Sequence, residues 1–502
     1  MTLITESIFY AGLPLYHKFQ TIHVQIFPVM KIEQIYTGCL AHAAYYLESN
    51  GEAAIFDPLR EIDPYLNRAA KSNARIKYVF ETHFHADFVS GHLDLAKKTG
   101  AQIVFGPTAK PGYDAITAED NQIFKVGDYT VKVIHTPGHT MESTTYLLID
   151  ENGKEHGIIS GDTLFIGDVG RPDLAQHVVA ELTQEKLAAH LYDSLRNKIM
   201  PLSDDLIVYP NHGAGSACGK NMSKETTDTL GHQKMVNYAL NPELTKEQFI
   251  KEILSGLTAP PGYFPKNVLM NIKGYESFET VMERGTNPLS PRAFEAAANE
   301  TEALVLDTRD AQKFSEGFVP NAINIGIDGN FAPWVGALIP DIKQQILLVT
   351  DPGREQEVVT RLARVGYDYC IGYLDGGFDA WKKAGMEIDN IKRVTVDQLA
   401  DILKAEPQTP VYDVRKQSEY NSEHVEQVEN APLDIINESM LSIPKDKTVF
   451  VHCAAGYRSM IFVSILRARG YDNLVDVVGG FKAIKDSTKF KISDYVCPTT
   501  LL

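Results

Sequence analysis

The sequence predicts an α/β multidomain protein: a sandwich of two sheets with flanking helices, followed by two tandem α/β domains built on parallel sheets. Three observations carry this. The chain has 502 residues, enough for about three domains at roughly 150 residues each. Through the first half, short apolar runs alternate with helical patterns, and several of those runs end in a histidine or an aspartate. The second half holds an internal repeat: Asp307-Thr308-Arg309 returns as Asp413-Val414-Arg415, and Gly376-Gly377-Phe378 returns as Gly479-Gly480-Phe481.

Taken in order, residues 1–29 contain no arginine and no basic stretch ahead of an apolar core and cleavage site, so no leader is read there. Met30 reads as a natural start, and 1–29 as an extension without a role. Strands are expected over 45–47 and 53–56, the second ending at Asp57-Pro58, with a helix over 60–73 and a strand over 76–80. A helix over 93–99 stops at Gly100. Strands near 104, 131–134, 146–149 and 158–159 follow, then a helix over 184–198 and a strand over 206–209. A helix over 245–255 precedes the breaker Pro260-Pro261-Gly262, and the first domain is drawn over 30–282. The repeat units are drawn over 288–390 and 391–502, each with an apolar strand (346–349, 449–451) ahead of a loop and helix.

The stretch Thr82-His83-Phe84-His85-Ala86-Asp87-Phe88 follows the strand over 76–80. Two histidines two residues apart, with an acid two further on, would line one face of a regular strand but be spread along it at roughly 3.3 Å per residue. At a strand-to-loop junction they can converge, as imidazole and carboxylate metal ligands do. Three more candidates each follow an apolar strand: His139 in Thr136-Pro137-Gly138-His139-Thr140, Asp162 in Ser160-Gly161-Asp162-Thr163, and His212 in Tyr209-Pro210-Asn211-His212-Gly213. The competing reading is of histidines that cap strands or sit in a core.

That set, in that order, resembles the metallo-β-lactamase superfamily over about half of the chain, and the resemblance implies the αββα sandwich. In the superfamily's binuclear hydrolases the first motif ends in a histidine that helps to hold a second metal. Here that position is Phe88, which has no lone pair to give, and Asp87, His212 and Asp162 would make a poorer second site. His83, His139 and Asp162 remain, two imidazoles and one carboxylate, the donor set of mononuclear non-haem Fe(II). The branch with that site is the persulfide dioxygenases; residues 163–173 resemble that branch, and 211–220 resemble it too, in its members fused to sulfurtransferase domains. The resemblance therefore implies one Fe(II) per chain on His83, His139 and Asp162. His85, Asp87, Asp57 and His212 would orient the ligands, and Arg171, Asp173 and Tyr209 would shape a persulfide pocket. Asp57 also reads as a plain turn residue before proline. Cys218, six residues after His212, is either a thiol that relays sulfur and lines the pocket or one packed beneath the site.

In the last repeat unit the second strand runs into Cys453-Ala454-Ala455-Gly456-Tyr457-Arg458 and an apolar helix. A cysteine there meets exposed backbone N–H groups and the positive end of a helix, a setting that cradles an anionic persulfide. Ala454, Ala455, Gly456 and Tyr457 would form the cradle, and Arg458 would meet an incoming sulfite or thiosulfate. The units resemble rhodanese domains, in which a six-residue loop starting with cysteine marks an active sulfurtransferase. In the preceding unit the aligned residue reads as Asp351, which cannot carry sulfur, so that unit is expected to be catalytically dead. Asp413 and Arg415 read as scaffold.

The net charge of −17 argues against nucleic acid or an anionic membrane as partner, and no run suits a membrane span. Five cysteines, an odd number spread along the chain, suit reduced thiols in a cytoplasm rather than a disulfide framework. The combined expectation is a cytoplasmic enzyme that oxidises a low-molecular-weight thiol persulfide with O2 to sulfite and thiol. Cys453 would then transfer sulfane sulfur to give thiosulfate, in a homodimer or homotetramer. The alternatives are a zinc thioester hydrolase akin to glyoxalase II and a non-catalytic sulfur-binding regulator.

Overall fold

The computed structural model describes residues 30–174, 182–257 and 259–497; the expected extension over 1–29 lies outside them. Two six-stranded sheets form the first unit. One runs in chain order through Lys31–Thr37, His42–Ser49, Glu52–Phe56, Arg75–Phe80, Gln102–Phe105 and Ile116–Thr117. The other runs Asp228–Thr229, Ile207–Pro210, Glu155–Gly161, Thr144–Ile149, Tyr129–His135 and Ile123–Val126. Strand periodicity sends alternate side chains to opposite faces. Tyr45, Phe56, Phe80, Val131, Tyr146 and Ile159 therefore fill the space between the sheets. Ile55 and Val79 go outward beneath Tyr65, Ala69 and Leu95 of the helices Asp63–Ser72 and His92–Thr99. On the far side Leu147, Ile158 and Val208 pack under Leu191, Phe249 and Ile253. The αββα layering follows from that alternation.

Two helices differ from expectation. The one expected from residue 60 starts at Asp63, with Pro64 in its first turn, because Arg60 is drawn into a buried ion-pair cluster instead. The one expected over 184–198 is regular only over Gln184–Ser194 and widens into a π turn over Leu195–Ile199.

Arg75–Phe80 pairs in parallel with both its neighbours, and Glu155–Gly161 pairs in parallel with Ile207–Pro210. Their carboxyl ends therefore emerge on a shared edge. Ala43 N donates to Asn211 O (2.7 Å) and Thr144 N to Thr82 O (2.9 Å), which ties the sheets together there.

The two following units are five-stranded parallel sheets of identical topology. The first is ordered Pro288–Leu289, Cys370–Leu374, Ile346–Val349, Leu304–Asp307, Ile323–Asn324; the second Lys392–Val394, Leu474–Val477, Val449–His452, Val411–Asp413, Glu429–Asn430. They are docked. Arg60, with no exposed side-chain surface, spans Asp94 (3.3 Å) and Asp368 of the middle unit (3.2 Å), under the ring of Tyr275. Val89 N donates to Arg364 O (2.7 Å), so the middle unit holds the loop that carries His83 and His85.

Candidate metal centre and sulfur-transfer loop

His83, His139 and Asp162 converge at the shared edge, with a donor atom of each lying within 4.8 Å of the others. Asp162 Oδ2 is 3.4 Å from His139 Nε2 and 3.9 Å from His83 Nε2. The remaining ring nitrogens are engaged elsewhere: His139 Nδ1 donates to Arg171 O (2.8 Å), and His83 Nδ1 meets Thr82 Oγ1 (3.0 Å). Fixing Nδ1 in this way aims the lone pair of Nε2 at the cluster. Burial, and then the neighbouring imidazoles, push His83 well below the usual histidine range, so it stays neutral. Both carboxylate oxygens of Asp162 are buried without a hydrogen-bond partner among the described residues. A buried carboxylate in that state calls for a cation, and the donor set fits one.

On the other side of Asp162, His212 Nε2 lies 3.6 Å from Asp162 Oδ1 and 3.5 Å from Asp87 Oδ2, with Cys218 completing a second cluster. His212 Nδ1 donates to Ala41 O (3.2 Å). Burial, with Asp87 and Asp162 nearby, pushes the Cys218 thiol well above its usual range. His85 is turned the other way. Its Nε2 lies 2.9 Å from Asp57 Oδ1 and 3.3 Å from Glu81 Oε2, and the two carboxylates overcome its burial and hold it protonated. Asp57 is the hub of the edge. Its backbone has φ +49°, its carboxylate accepts from Thr82 N (2.7 Å) and Asn211 Nδ2 (2.8 Å), and its carbonyl meets His42 Nε2 (2.9 Å). Phe88, fully buried, packs its ring on His42 and His85 at 4.2 and 4.3 Å between centroids.

Three expected pocket residues sit elsewhere. Tyr209 lies in the inter-sheet space, its ring 5.5 Å from that of Tyr45, because it falls on the inward face of its strand. The Arg171 guanidinium is paired bidentate with Asp173 (2.7 and 2.6 Å), so the two brace the loop that presents Arg171 O to His139. The cavity that reaches the cluster is lined instead by Phe84, Ala86, His139, Met141, Leu174 and Val268, with Glu142 the one charged side chain among them. Glu81, His42 and Asn211 were not singled out in the sequence; Glu81 and Asn211 adjoin the motifs.

In the last unit Cys453 is buried at the strand end, and Gly456 N donates to its Sγ (3.1 Å). Gly456 has φ +103°, which the tight turn into the helix Tyr457–Ala468 requires. Two expectations change here. Tyr457 leaves the loop and donates its hydroxyl to Gly326 O (2.8 Å) in the middle unit. Arg458 is bound bidentate to Glu419 (2.5 and 2.8 Å). The aligned residue of the middle unit is also corrected. Asp307 pairs with Val349 as Asp413 pairs with His452, so Thr350, not Asp351, stands where Cys453 does. A threonine hydroxyl cannot carry sulfane sulfur either.

The family described as metallo-beta-lactamase superfamily matches residues 37–212, and that described as rhodanese-like domain matches 290–384 and 395–487. A crystal structure of a metallo-beta-lactamase from Staphylococcus aureus is 31% identical with a TM-score of 0.61, covering 69% of this chain and 99% of that one. This chain belongs to the metallo-β-lactamase superfamily. Two rhodanese-like domains follow its superfamily domain. It is similar to the human mitochondrial persulfide dioxygenase ETHE1, 29% identical over 42% of this chain and 73% of that one. A probable hydroxyacylglutathione hydrolase of Schizosaccharomyces pombe is as near, 27% identical over 41% of this chain and 77% of the relative. The fold and domain classes expected from the sequence agree with these matches, which do not choose between the two activities.

Proposed function

We propose that the protein is a persulfide dioxygenase with coupled sulfur transfer. The observation that carries the reading is the donor set of two imidazoles and one carboxylate, with Asp162 left unpartnered and His85 withdrawn onto Asp57 and Glu81. That set suits mononuclear Fe(II), one per chain, held by His83, His139 and Asp162. Bound there, the iron would supply the reactivity toward dioxygen that a closed-shell ion lacks. The similarity to the human enzyme supports the same reading.

The overall reaction is RSS⁻ + O2 + H2O → RSH + SO3²⁻ + H⁺. The apolar cavity beside His139 takes the body of the persulfide and keeps water from it, while Arg171 O fixes the His139 ring. Cys453 then takes the terminal sulfur of a second persulfide, releasing RSH, and passes it to sulfite as thiosulfate. The Gly456 N–H, already on Sγ, offers a hydrogen bond to the charged sulfur. The roles of His83, His139, Asp162 and Cys453, the boundaries drawn at 282, 288 and 390, a cytoplasmic location and a homodimer or homotetramer belong to this proposal. Cys39, Cys218, Cys370 and Cys453 are in no disulfide, and no helix among the described residues is long and apolar enough to cross a membrane.

A second reading, a zinc thioester hydrolase, is favoured by the Asp87, His212 and Cys218 cluster beyond Asp162 and by the hydrolase relatives. Oxygen uptake by iron-loaded protein supplied with glutathione persulfide or coenzyme A persulfide tests the choice. Uptake is expected, and His139→Ala should reduce it by about a hundredfold or more. No uptake despite bound iron, with thioester cleavage on zinc, would establish the hydrolase.

A further inference from the structure

Arg458, the cation that the loop motif supplies, is bound on two nitrogens by Glu419, which turns the end of its fork toward that carboxylate. A different guanidinium reaches the loop. Arg393 lies in the strand Lys392–Val394, which pairs in parallel with Leu474–Val477 and places Arg393 opposite Asp476. Its Nε donates to Asp476 Oδ2 (2.8 Å), and its Nη1 donates to Gln312 Oε1 (2.5 Å), a residue of the middle domain. Both partners are themselves fixed. Ser459, in the first turn after the loop, donates to the other oxygen of Asp476 (2.6 Å), and Gln312 Nε2 donates to Glu316 (2.6 Å).

With two edges clamped, Nη2 remains, and it makes no hydrogen bond among the described residues. It faces the loop: a Cβ built on Gly456 would lie 4.0 Å from it. The Gly456 N–H is the group that touches Cys453 Sγ. Glycine at 456 thus serves the left-handed turn and leaves the space beside Nη2 open.

The transfer step brings two anions together. The lone pair of the sulfite sulfur attacks the terminal sulfur of the Cys453 persulfide, and a new S–S bond forms as the old one breaks. The electron pair of the broken bond stays on Cys453 Sγ as thiolate, and thiosulfate leaves: CysSS⁻ + SO3²⁻ → CysS⁻ + S2O3²⁻. Like charges at contact are brought together beside a fixed cation that still has N–H groups to donate.

We propose that Arg393, clamped by Asp476 and by Gln312, binds the anionic acceptor at Cys453. The domain whose loop lacks a cysteine therefore builds part of the sulfur-transfer site of its neighbour. The proposal rests on Cys453 as the sulfur carrier.

Charge-paired alkylation tests it without turnover. Iodoacetate and iodoacetamide differ in charge, and the rate of each at the Cys453 peptide is read by mass spectrometry. Arg393→Gln is expected to slow iodoacetate about tenfold while iodoacetamide changes by less than about twofold, with KM for sulfite rising about tenfold. Arg393→Lys should restore much of the iodoacetate rate. Gln312→Ala, on the other domain, should slow iodoacetate by about threefold, and it decides the matter if Arg393→Gln disturbs the loop enough to alter both reagents. An unchanged reagent ratio in Gln312→Ala and Arg393→Gln, or a larger shift in Arg458→Gln than in Arg393→Gln, would overturn the proposal. Retention of sulfur transfer by Cys453→Ser would instead remove the reading on which it rests.

Discussion

The two rhodanese-like domains share a scaffold and differ at one loop. In each, an aspartate at the strand end holds an arginine two residues on: Asp307 with Arg309, Asp413 with Arg415. Each arginine also reaches a carbonyl eight residues ahead and lies over a phenylalanine ring, Phe378 or Phe481. An asparagine, Asn324 or Asn430, clamps the carbonyls of both members of the pair. At the loop the domains part. Gly456 N points to Cys453 Sγ, whereas Gly353 N, in the same left-handed turn at φ +89°, donates to both carboxylate oxygens of Glu355 (3.0 Å). Arg458 occupies the place of Glu355. The facing pair is inverted too: Lys313 meets Asp351 in the middle domain where Glu419 meets Arg458 in the last. The loop keeps its taste for an anion in both domains; the middle one supplies that anion from its own chain. The brace is thus a requirement of the fold, and the chemistry is added on top of it.

This contrast can be broken by grafting. Thr350→Cys alone should carry no sulfur, because the Glu355 carboxylate holds the amide a persulfide would need. Thr350→Cys with Glu355→Arg should gain a persulfide, read as the mass of one added sulfur on the 350 peptide after incubation with thiosulfate. A gain in the single variant would show that the carboxylate does not block the loop. The shared part can be sharpened by stability. Asp307→Ala and Asp413→Ala each strand a buried arginine and should cost about 3 kcal/mol, alike in the two domains, by denaturant unfolding. A much smaller loss at Asp307 would mean the brace had decayed in the domain without a loop cysteine. The smallest effect concerns Cys370, a thiol of the middle domain pushed up to about 12 by burial. Its thiolate is scarce at pH 8 and grows only as the pH rises toward that value. Native protein at pH 8 should therefore take up iodoacetamide at exposed Cys497 and not at Cys370, with both labelled once unfolded.

Much of the first domain was legible because its ligands announce themselves: each follows an apolar strand, and the strands Arg75–Phe80, Tyr129–His135 and Glu155–Gly161 end at one edge of the sandwich. His83, His139 and Asp162 are brought together for that reason. What escaped depends on register and distant pairing. Thr350 and Asp351 are adjacent, and only the ladder that sets Val349 opposite Asp307 separates them. Tyr209 lies next to a metal-site motif, but strand alternation turns its ring into the sandwich. Arg393 stands far ahead of Cys453 in the chain and reaches its loop only through the pairing of Lys392–Val394 with Leu474–Val477. Glu419 likewise meets Arg458 across the fold. Charged partners distant in sequence leave no periodic mark.

The most direct measurement is the product partition of iron-loaded Cys453→Ser supplied with excess persulfide and oxygen. Oxygen uptake should persist, with sulfite accumulating in place of thiosulfate, because the metal centre and the sulfur carrier are separate sites on one chain. Thiosulfate formed at the wild-type rate would contradict the division of labour.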